Sequence, residues 1–268
     1  MRLPRLHLSR PAVVIPDAAL DNDAVLSRVR ESFRGAVSEW DPIERDIRYV
    51  FDRCNTQVRY LEPDPELSPA EFAARAATAC LFANGMEASE IDLLVYGGIA
   101  RDAFEPATAA EVAGRLGARP LHAMDVTCAC AGLVEALHVV AGYFALHDEL
   151  RTAVVCAGEL TRDRLSYDVQ SGEDVAVRAA GLTLGNAAAA FVMSRERLPA
   201  GSARLVGFRH RTLAEHYGLC RAPVDGYFTS HSKELFALAV HVPPEIRRLV
   251  QDVGWSPADV DHYFFHQP

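Results

Sequence analysis

Several things are scarce in this chain of 268 residues, and each shortage removes a class of function. Positive charge is outweighed: 27 Lys and Arg against 36 Asp and Glu leave a net charge of -9. Nucleic acids and anionic membranes select surfaces of clustered cations, so neither is an expected partner. The isolated pair Arg247-Arg248 reads as a solvated helix face. No apolar run approaches the roughly 18 residues that cross a bilayer, and the first ten residues carry too short an apolar segment for a secretory signal. The expected location is the cytoplasm, with reduced cysteines. None of the six cysteines has Cys-x-x-Cys spacing, and the histidines complete no zinc pattern, so a metal is not expected. No low-complexity linker divides the chain.

What is present is an ample apolar fraction, 50% of residues, enough for one large domain or two fused smaller ones. Short apolar runs alternate with helical patterns, which points to an α/β layered architecture. Strands are expected near Leu3 to Leu8, Ile91 to Gly97, Leu121 to Val126, Ala153 to Ala157, Ala187 to Met193, Arg204 to Arg209 and Asp261 to His266. The clearest helices are Ser68 to Gly85, opened by a Ser cap and a first-turn Pro, then Thr108 to Gly117, Ala131 to Leu146, Ser232 to Val240 and Pro244 to Gly254. Residues Thr161 to Leu184 read as a long surface excursion between two strands.

The most informative stretch is Asp125-Val-Thr-Cys-Ala-Cys130-Ala-Gly-Leu133. It runs a strand that reads as buried into a cysteine at the start of a helix that is apolar on nearly every face and is expected inside the protein. A thiol at that first turn meets free backbone N–H groups and the positive end of the helix dipole, which favour the thiolate. Most buried cysteines are merely small hydrophobes. Position distinguishes Cys130; Cys54, Cys80, Cys156 and Cys220 sit in ordinary contexts, and Cys128 reads as packing.

An internal similarity adds to this. Gly85-Met-Glu-Ala-Ser-Glu90-Ile91-Asp92-Leu-Leu-Val-Tyr-Gly97 aligns without a gap on Gly254-Trp-Ser-Pro-Ala-Asp259-Val260-Asp261-His-Tyr-Phe-Phe-His266. In both, a helix ends on Gly, a polar turn comes next, and an acid and an aliphatic residue precede Asp and a strand. If these are two copies of one α/β unit, the second copy is unfinished, and the sequence is expected to be a piece of a longer polypeptide.

These residues resemble the β-ketoacyl-acyl carrier protein synthase III branch of the thiolase superfamily. The resemblance implies a thiolase-like layered fold of two duplicated α/β halves. Residues 1–198 would form the N-terminal half with the nucleophile cysteine, and residues 199–268 a partial C-terminal half with the catalytic histidine. The family's nucleophile falls on Cys130, and His266-Gln267 resembles its His-Gln motif. Phe104, in Ala103-Phe-Glu-Pro-Ala-Thr108, resembles a phenylalanine that crosses a dimer interface to line the partner's acyl pocket. Gly181 to Ala190 occupies the place of a glycine-rich lead into a strand. Ligands of open α/β sheets gather at the carboxyl ends of strands, so Cys130 and His266 are expected to face one cleft.

Departures matter too. The family's third catalytic residue, an asparagine in a Gly-Asn pair after the histidine, is not found within these 268 residues, and Asn186 lies in the wrong half for that role. The run Phe51-Asp-Arg-Cys-Asn55-Thr56-Gln57-Val-Arg59 lacks the tryptophan and arginine that precede Thr-Gly in members using acyl-coenzyme A. An acyl carrier protein donor is therefore at least as well supported.

The resemblance implies a Cys130 thioester joined to a malonyl or β-ketoacyl thioester, with an acyl pocket shared across a homodimer and no cofactor. Two alternatives stay open: transfer of the acyl group to an alcohol or amine, with His266 as general base, and a non-catalytic scaffold subunit. The remaining histidines read as structural or as lining, and Glu105, beside Phe104, as a solvated loop residue that could serve the partner's site as a base.

Overall fold

The computed structural model describes residues 3–266. In chain order its strands are β1 (Leu6–Ser9), β2 (Ala12–Val14), β3 (Ala19–Asp21), β4 (Val58–Tyr60), β5 (Leu93–Tyr96), β6 (His122–Asp125), β7 (Thr152–Glu159), β8 (Ala187–Ser194), β9 (Ser202–Leu205), β10 (Cys220–Arg221) and β11 (Thr229–Ser230). The helices are α1 (Asn22–Ser32), α2 (Val37–Arg53), α3 (Pro69–Ala83), α4 (Thr108–Arg115), α5 (Gly132–Leu146), α6 (Gly172–Arg178), α7 (Ser232–Ala237) and α8 (Val242–Asp252). Packing divides them into two compact units: residues 3–17, 62–160 and 186–207, and residues 18–61, 161–185 and 208–266.

The first unit is built on a seven-stranded sheet of order β6-β5-β7-β8-β1-β9, with β2 also paired to β8. Strand β5 runs parallel to both β6 and β7, in register Tyr96 to Asp125 and Tyr96 to Cys156, whereas β8 lies antiparallel to β7 and to β1. The run Leu-Leu-Val-Tyr can stand between two strands because all four side chains of β5 are fully buried. Each such side chain contributes about 1.5–3 kcal/mol of burial.

Helix α3 packs on β7 and β8. It starts where the sequence places it: Ser68 Oγ accepts from Glu71 N at 2.9 Å, and Pro69 occupies the first turn. Its buried residues are mostly Ala, which lets the helix approach closely; a Cβ on Gly158 of β7 would lie 2.4 Å from Pro69 O.

The second unit has its own core. Trp40, Ile43, Ile47 and Phe51 line the buried face of α2 and cluster with Val25, Leu26 and Val29 of α1. Val169, Val175, Ala179 and Leu182 join them. The stretch Thr161 to Leu184 is thus no surface excursion: its apolar residues, spaced between glycines and charges, supply part of a core, and it includes α6. Both α1 and α2 escaped the sequence reading, although Trp40, Ile43, Ile47 and Phe51 recur at helical spacing.

Other expectations need correction. Strand β6 is not buried; it is an edge of the sheet, covered on one flank only, with His122 exposed and the next three residues half-buried. Helix α5 is apolar on nearly every side but buries one face, Ala136, Leu137, Val140, Ala141 and Phe144, against β5 and β7, while Val134 and Leu146 are exposed. Residues Ala129–Leu146 do reach 18 residues at a mean hydropathy of 1.6, long and apolar enough by length and composition alone to cross a membrane. A helix that covers a sheet passes the same test. Strand β9 ends at Leu205, short of the expected Arg209. Asp261 to His266 is not a strand. Its aromatic side chains are exposed, and no ladder partner for it exists among the described residues.

Candidate functional site

Three parallel strands, β6, β5 and β7, end on the same edge of the sheet, and the site is assembled from their last residues and the turns that continue them. Beyond β6 the chain passes Thr127 and Cys128, makes a short 3-10 turn at Ala129–Ala131, and enters α5 at Gly132. Cys130 therefore sits just ahead of the α-helix. Ala129 holds φ +45, a left-handed conformation that costs a residue with a side chain about 1 kcal/mol or more. This strain directly precedes the cysteine and gave no sign in the sequence, since alanine rather than glycine occupies the position.

The turn is fixed from below by two glycines. A Cβ on Gly132 would stand 2.1 Å from Gly97 O, and one on Gly97 would stand 2.7 Å from Gly132 O. The backbone after β5 and the start of α5 touch so closely that neither position accepts a side chain. Asp125, the last residue of β6, accepts hydrogen bonds from Thr108 N at 3.0 Å and Ala109 N at 2.8 Å. It caps α4, whose own N-cap Ala107 offers no side-chain acceptor, and so ties the loop carrying Phe104 to the strand that leads to Cys130.

Beyond β5 lie Gly97, Gly98, Ile99, Ala100 and Arg101, and β7 closes on Glu159. The Glu159 carboxylate accepts from Ile99 N at 2.6 Å and from Ala100 N at 3.1 Å. Arg101 donates to Thr127 Oγ1 at 2.8 Å. Tyr96, buried, directs its hydroxyl to the carbonyl oxygens of Ala100 at 2.6 Å and Gly158 at 2.9 Å. Neither Glu159 nor Arg101 was singled out from sequence; the one available signal was a carboxylate closing the apolar run Ala-Val-Val-Cys-Ala-Gly.

Cys130 is exposed at the surface of its unit, as is Cys128, which does not pack inward as expected. The Cys130 thiol is pushed above the ordinary thiol range, first by the desolvation of its surroundings and then by the negative charge of Glu159; its own backbone N–H, directed at the sulfur, acts the other way. The balance is opposite to the thiolate-favouring field read from the sequence, because desolvation and then the Glu159 charge outweigh the single N–H that favours the thiolate. Burial likewise raises Glu159, against the pull of Ile99 N, Ala100 N and Arg101. Burial also raises the Tyr96 hydroxyl, which stays a neutral donor.

Phe104 lies on the loop between β5 and α4 in the first unit and is 81% exposed. His266 is an exposed residue of the second unit, and Gln267 lies outside the described residues. Asn186, set aside on position in the sequence, is buried and accepts from Glu62 N at 2.8 Å, a structural bond within the first unit.

No family model matches the chain. Among curated relatives, an acyl-CoA:acyl-CoA alkyltransferase of Xanthomonas campestris is 29% identical over 213 residues, covering 76% of this chain and 62% of the relative. A β-ketoacyl-acyl-carrier-protein synthase III of Levilactobacillus brevis is 28% identical, covering 74% of this chain and 62% of the relative. That of Pseudomonas aeruginosa is 27% identical, covering 94% and 72%. Among solved structures, a single-substitution form of Xanthomonas campestris OleA superposes with a TM-score of 0.86 at 23% identity, covering 100% of this chain and 77% of that one. A cysteine-to-serine form with bound lauric acid and lauroyl-CoA gives 0.84 at 22% identity, covering 97% and 77%. These superpositions define a thiolase-like fold. In sequence, the chain is similar to β-ketoacyl-acyl carrier protein synthase III proteins over most of its length. It spans 62% of the length of each of the first two relatives.

Proposed function

We propose that this chain carries the acyl-thioester condensing chemistry of a ketosynthase III-type acyltransferase, with Cys130 as the nucleophile. The observation that carries the reading is the exposed Cys130 on a strained turn at the carboxyl edge of three parallel strands, its own N–H directed at its sulfur. Cys130 Sγ attacks the carbonyl carbon of an acyl thioester, and that N–H stabilises the oxyanion as the carbonyl oxygen takes up negative charge. One such donor is worth roughly 3 kcal/mol. The intermediate collapses with loss of the carrier thiolate, which takes the proton that the cysteine gives up.

A second thioester then becomes an enolate. Malonyl loses carbon dioxide; a β-ketoacyl group loses a proton. His266, as a neutral imidazole, donates a hydrogen bond to the enolate oxygen. The enolate carbon attacks the Cys130 acyl carbon, the carbon–sulfur bond breaks, and a β-keto product leaves the regenerated thiolate. A thiol held above its ordinary pKa supports a role for a base in the first step, since little of it is ionised at neutral pH.

The names of the relatives bear on the donor. One is named an acyl-CoA:acyl-CoA alkyltransferase and others a β-ketoacyl-acyl-carrier-protein synthase III, so both carriers are proposed as sources of the acyl group. We also infer that residues 199–268 belong to the second half of the thiolase-like duplication, that Phe104 lines the acyl pocket of a partner copy in a homodimer, and that the protein works in the cytoplasm.

Incubation with an acyl thioester and malonyl thioester, on each carrier in turn, tests the reading. Condensation releases carbon dioxide and yields a carbon-extended product, lost in Cys130→Ala and in His266→Ala. An acyl ester or amide without carbon dioxide release overturns condensation in favour of simple transfer, and no acyl turnover at all favours a scaffold.

A further inference from the structure

Glu159 is the one charged side chain of β7, a strand whose other seven residues are all buried. Placing a carboxylate at such a site costs free energy unless its oxygens are met by donors. Here both are met, by the successive N–H groups of Ile99 and Ala100. The next residue along, Arg101, reaches across to Thr127, three positions ahead of Cys130, and to Gly98 O at 3.5 Å. The Tyr96 hydroxyl, against Ala100 O and Gly158 O, holds the same turn from inside the sheet. One continuous chain of hydrogen bonds therefore runs from the end of β7, through the turn after β5, to the turn after β6 that bears the sulfur.

We propose that Glu159 is a positioning residue for Cys130: its carboxylate braces the turn at residues 98–101 against the cysteine's turn and keeps a fixed negative charge beside the sulfur. This rests on the reading of Cys130 as the nucleophile. A neutral acceptor could hold the turn only in part, because Gln presents one oxygen where two N–H groups need one each. The charge has its own effect. It disfavours the thiolate, adding to the larger effect of desolvation on the Cys130 thiol.

The charged and titratable groups that act on this pair are few. Arg101 faces Glu159 from the turn after β5 and Tyr96 from β5 itself; Asp125 of β6 and Cys156 of β7 act on Tyr96. Arg101 opposes the carboxylate's charge, which gives the proposal a second handle of opposite sign.

The test is the pH dependence of Cys130 alkylation by iodoacetamide, measured on the intact chain and resolved from Cys128 and Cys220 by peptide mass spectrometry. In Glu159→Gln the inflection moves to lower pH and the rate at neutral pH rises by roughly two- to fivefold, while acyl transfer falls because the turn is loosened. Glu159→Asp, which keeps the charge, restores most of the wild-type inflection. Arg101→Gln, which leaves the carboxylate unopposed, moves the inflection to higher pH and stands in if Glu159→Gln does not fold. A folded Glu159→Gln or Arg101→Gln whose inflection does not move overturns the proposal, since a purely structural bond would change yield or stability without changing the titration. Should the inflection move as described while wild-type Cys130 accepts no acyl group, the coupling stands and the nucleophile reading fails.

Discussion

Residues Gly85 to Gly97 and Gly254 to His266 make the same turn twice and finish differently. In the first, Gly85 holds φ +65; in the second, Gly254 holds φ +79. Met86 N donates to Leu81 O at 3.0 Å, and Trp255 N to Val250 O at 2.9 Å. Glu87 N donates to the Glu90 carboxylate at 2.7 Å, and Ser256 N to the Asp259 carboxylate at 2.7 Å. A 3-10 turn comes next in each, at Ala88–Glu90 and Pro257–Asp259. Past that point the copies diverge. Asp92 anchors Arg151 N and Thr152 N and leads into the fully buried β5, whereas Asp261 to His266 is exposed and unpaired among the described residues. The turn is written locally, in four or five side chains; the strand depends on neighbours to either side.

The two segments should differ most in their strands. Leu94→Ala removes a fully buried side chain and is expected to cost about 3–4 kcal/mol, whereas Phe264→Ala, 93% exposed, leaves the urea midpoint of this chain unchanged. Equal losses would mean that the second segment is also packed. Next comes the glycine contact that, among the described residues, only the first copy has. Gly132→Ala drives a Cβ to 2.1 Å from Gly97 O and is expected to cost about 2–3 kcal/mol and to abolish Cys130 acylation. A tolerated alanine would show that the approach of α5 to β5 is looser than described.

The turns themselves should behave alike. Gly85→Ala and Gly254→Ala place a side chain at positive φ with nothing within 4 Å, so each is expected to cost about 1 kcal/mol by denaturant titration. A large disparity would end the equivalence. The smallest effect is one of pH. The Ser256 backbone N–H, and then its hydroxyl, hold the Asp259 carboxyl below its ordinary pKa. A depressed folded pKa stabilises the turn above the ordinary Asp range and loses that contribution as pH falls through the folded value. The Ser256 amide resonance should therefore shift on acidification at a pH below that of an unstructured Asp, and Asp259→Asn should remove the shift.

Much of the fold could be read from residues whose effect is local. The Ser68 cap and Pro69 placed α3; the Gly-to-Asp pattern placed both turns; Ala-Gly after Cys130 placed the start of α5. What escaped was decided by tertiary contact. The sequence 161–184 looks polar because its core residues Val169, Val175 and Leu182 are isolated between glycines and charges, and only their packing on α2 shows what they do. Of the site, Cys130 was legible from its strand-to-helix context. Glu159 was not, because a carboxylate ending a strand usually meets solvent; its role comes from Ile99 and Ala100, 60 and 59 positions away. The raised pKa of Cys130 was missed for the same reason, since a helix dipole can be inferred from sequence, whereas the desolvation of the thiol and, after it, the charge of Glu159 are set by tertiary contact.

The sulfur of Cys130 is the atom on which the chemistry depends. Intact-mass and peptide mass spectrometry after brief exposure to lauroyl-CoA or a lauroyl carrier protein tests it most directly. A single hydroxylamine-labile acyl group on Cys130, absent in Cys130→Ala and unaffected by Cys128→Ala, is the predicted result. An acyl group that settles on Cys128 instead, or on no cysteine, contradicts it.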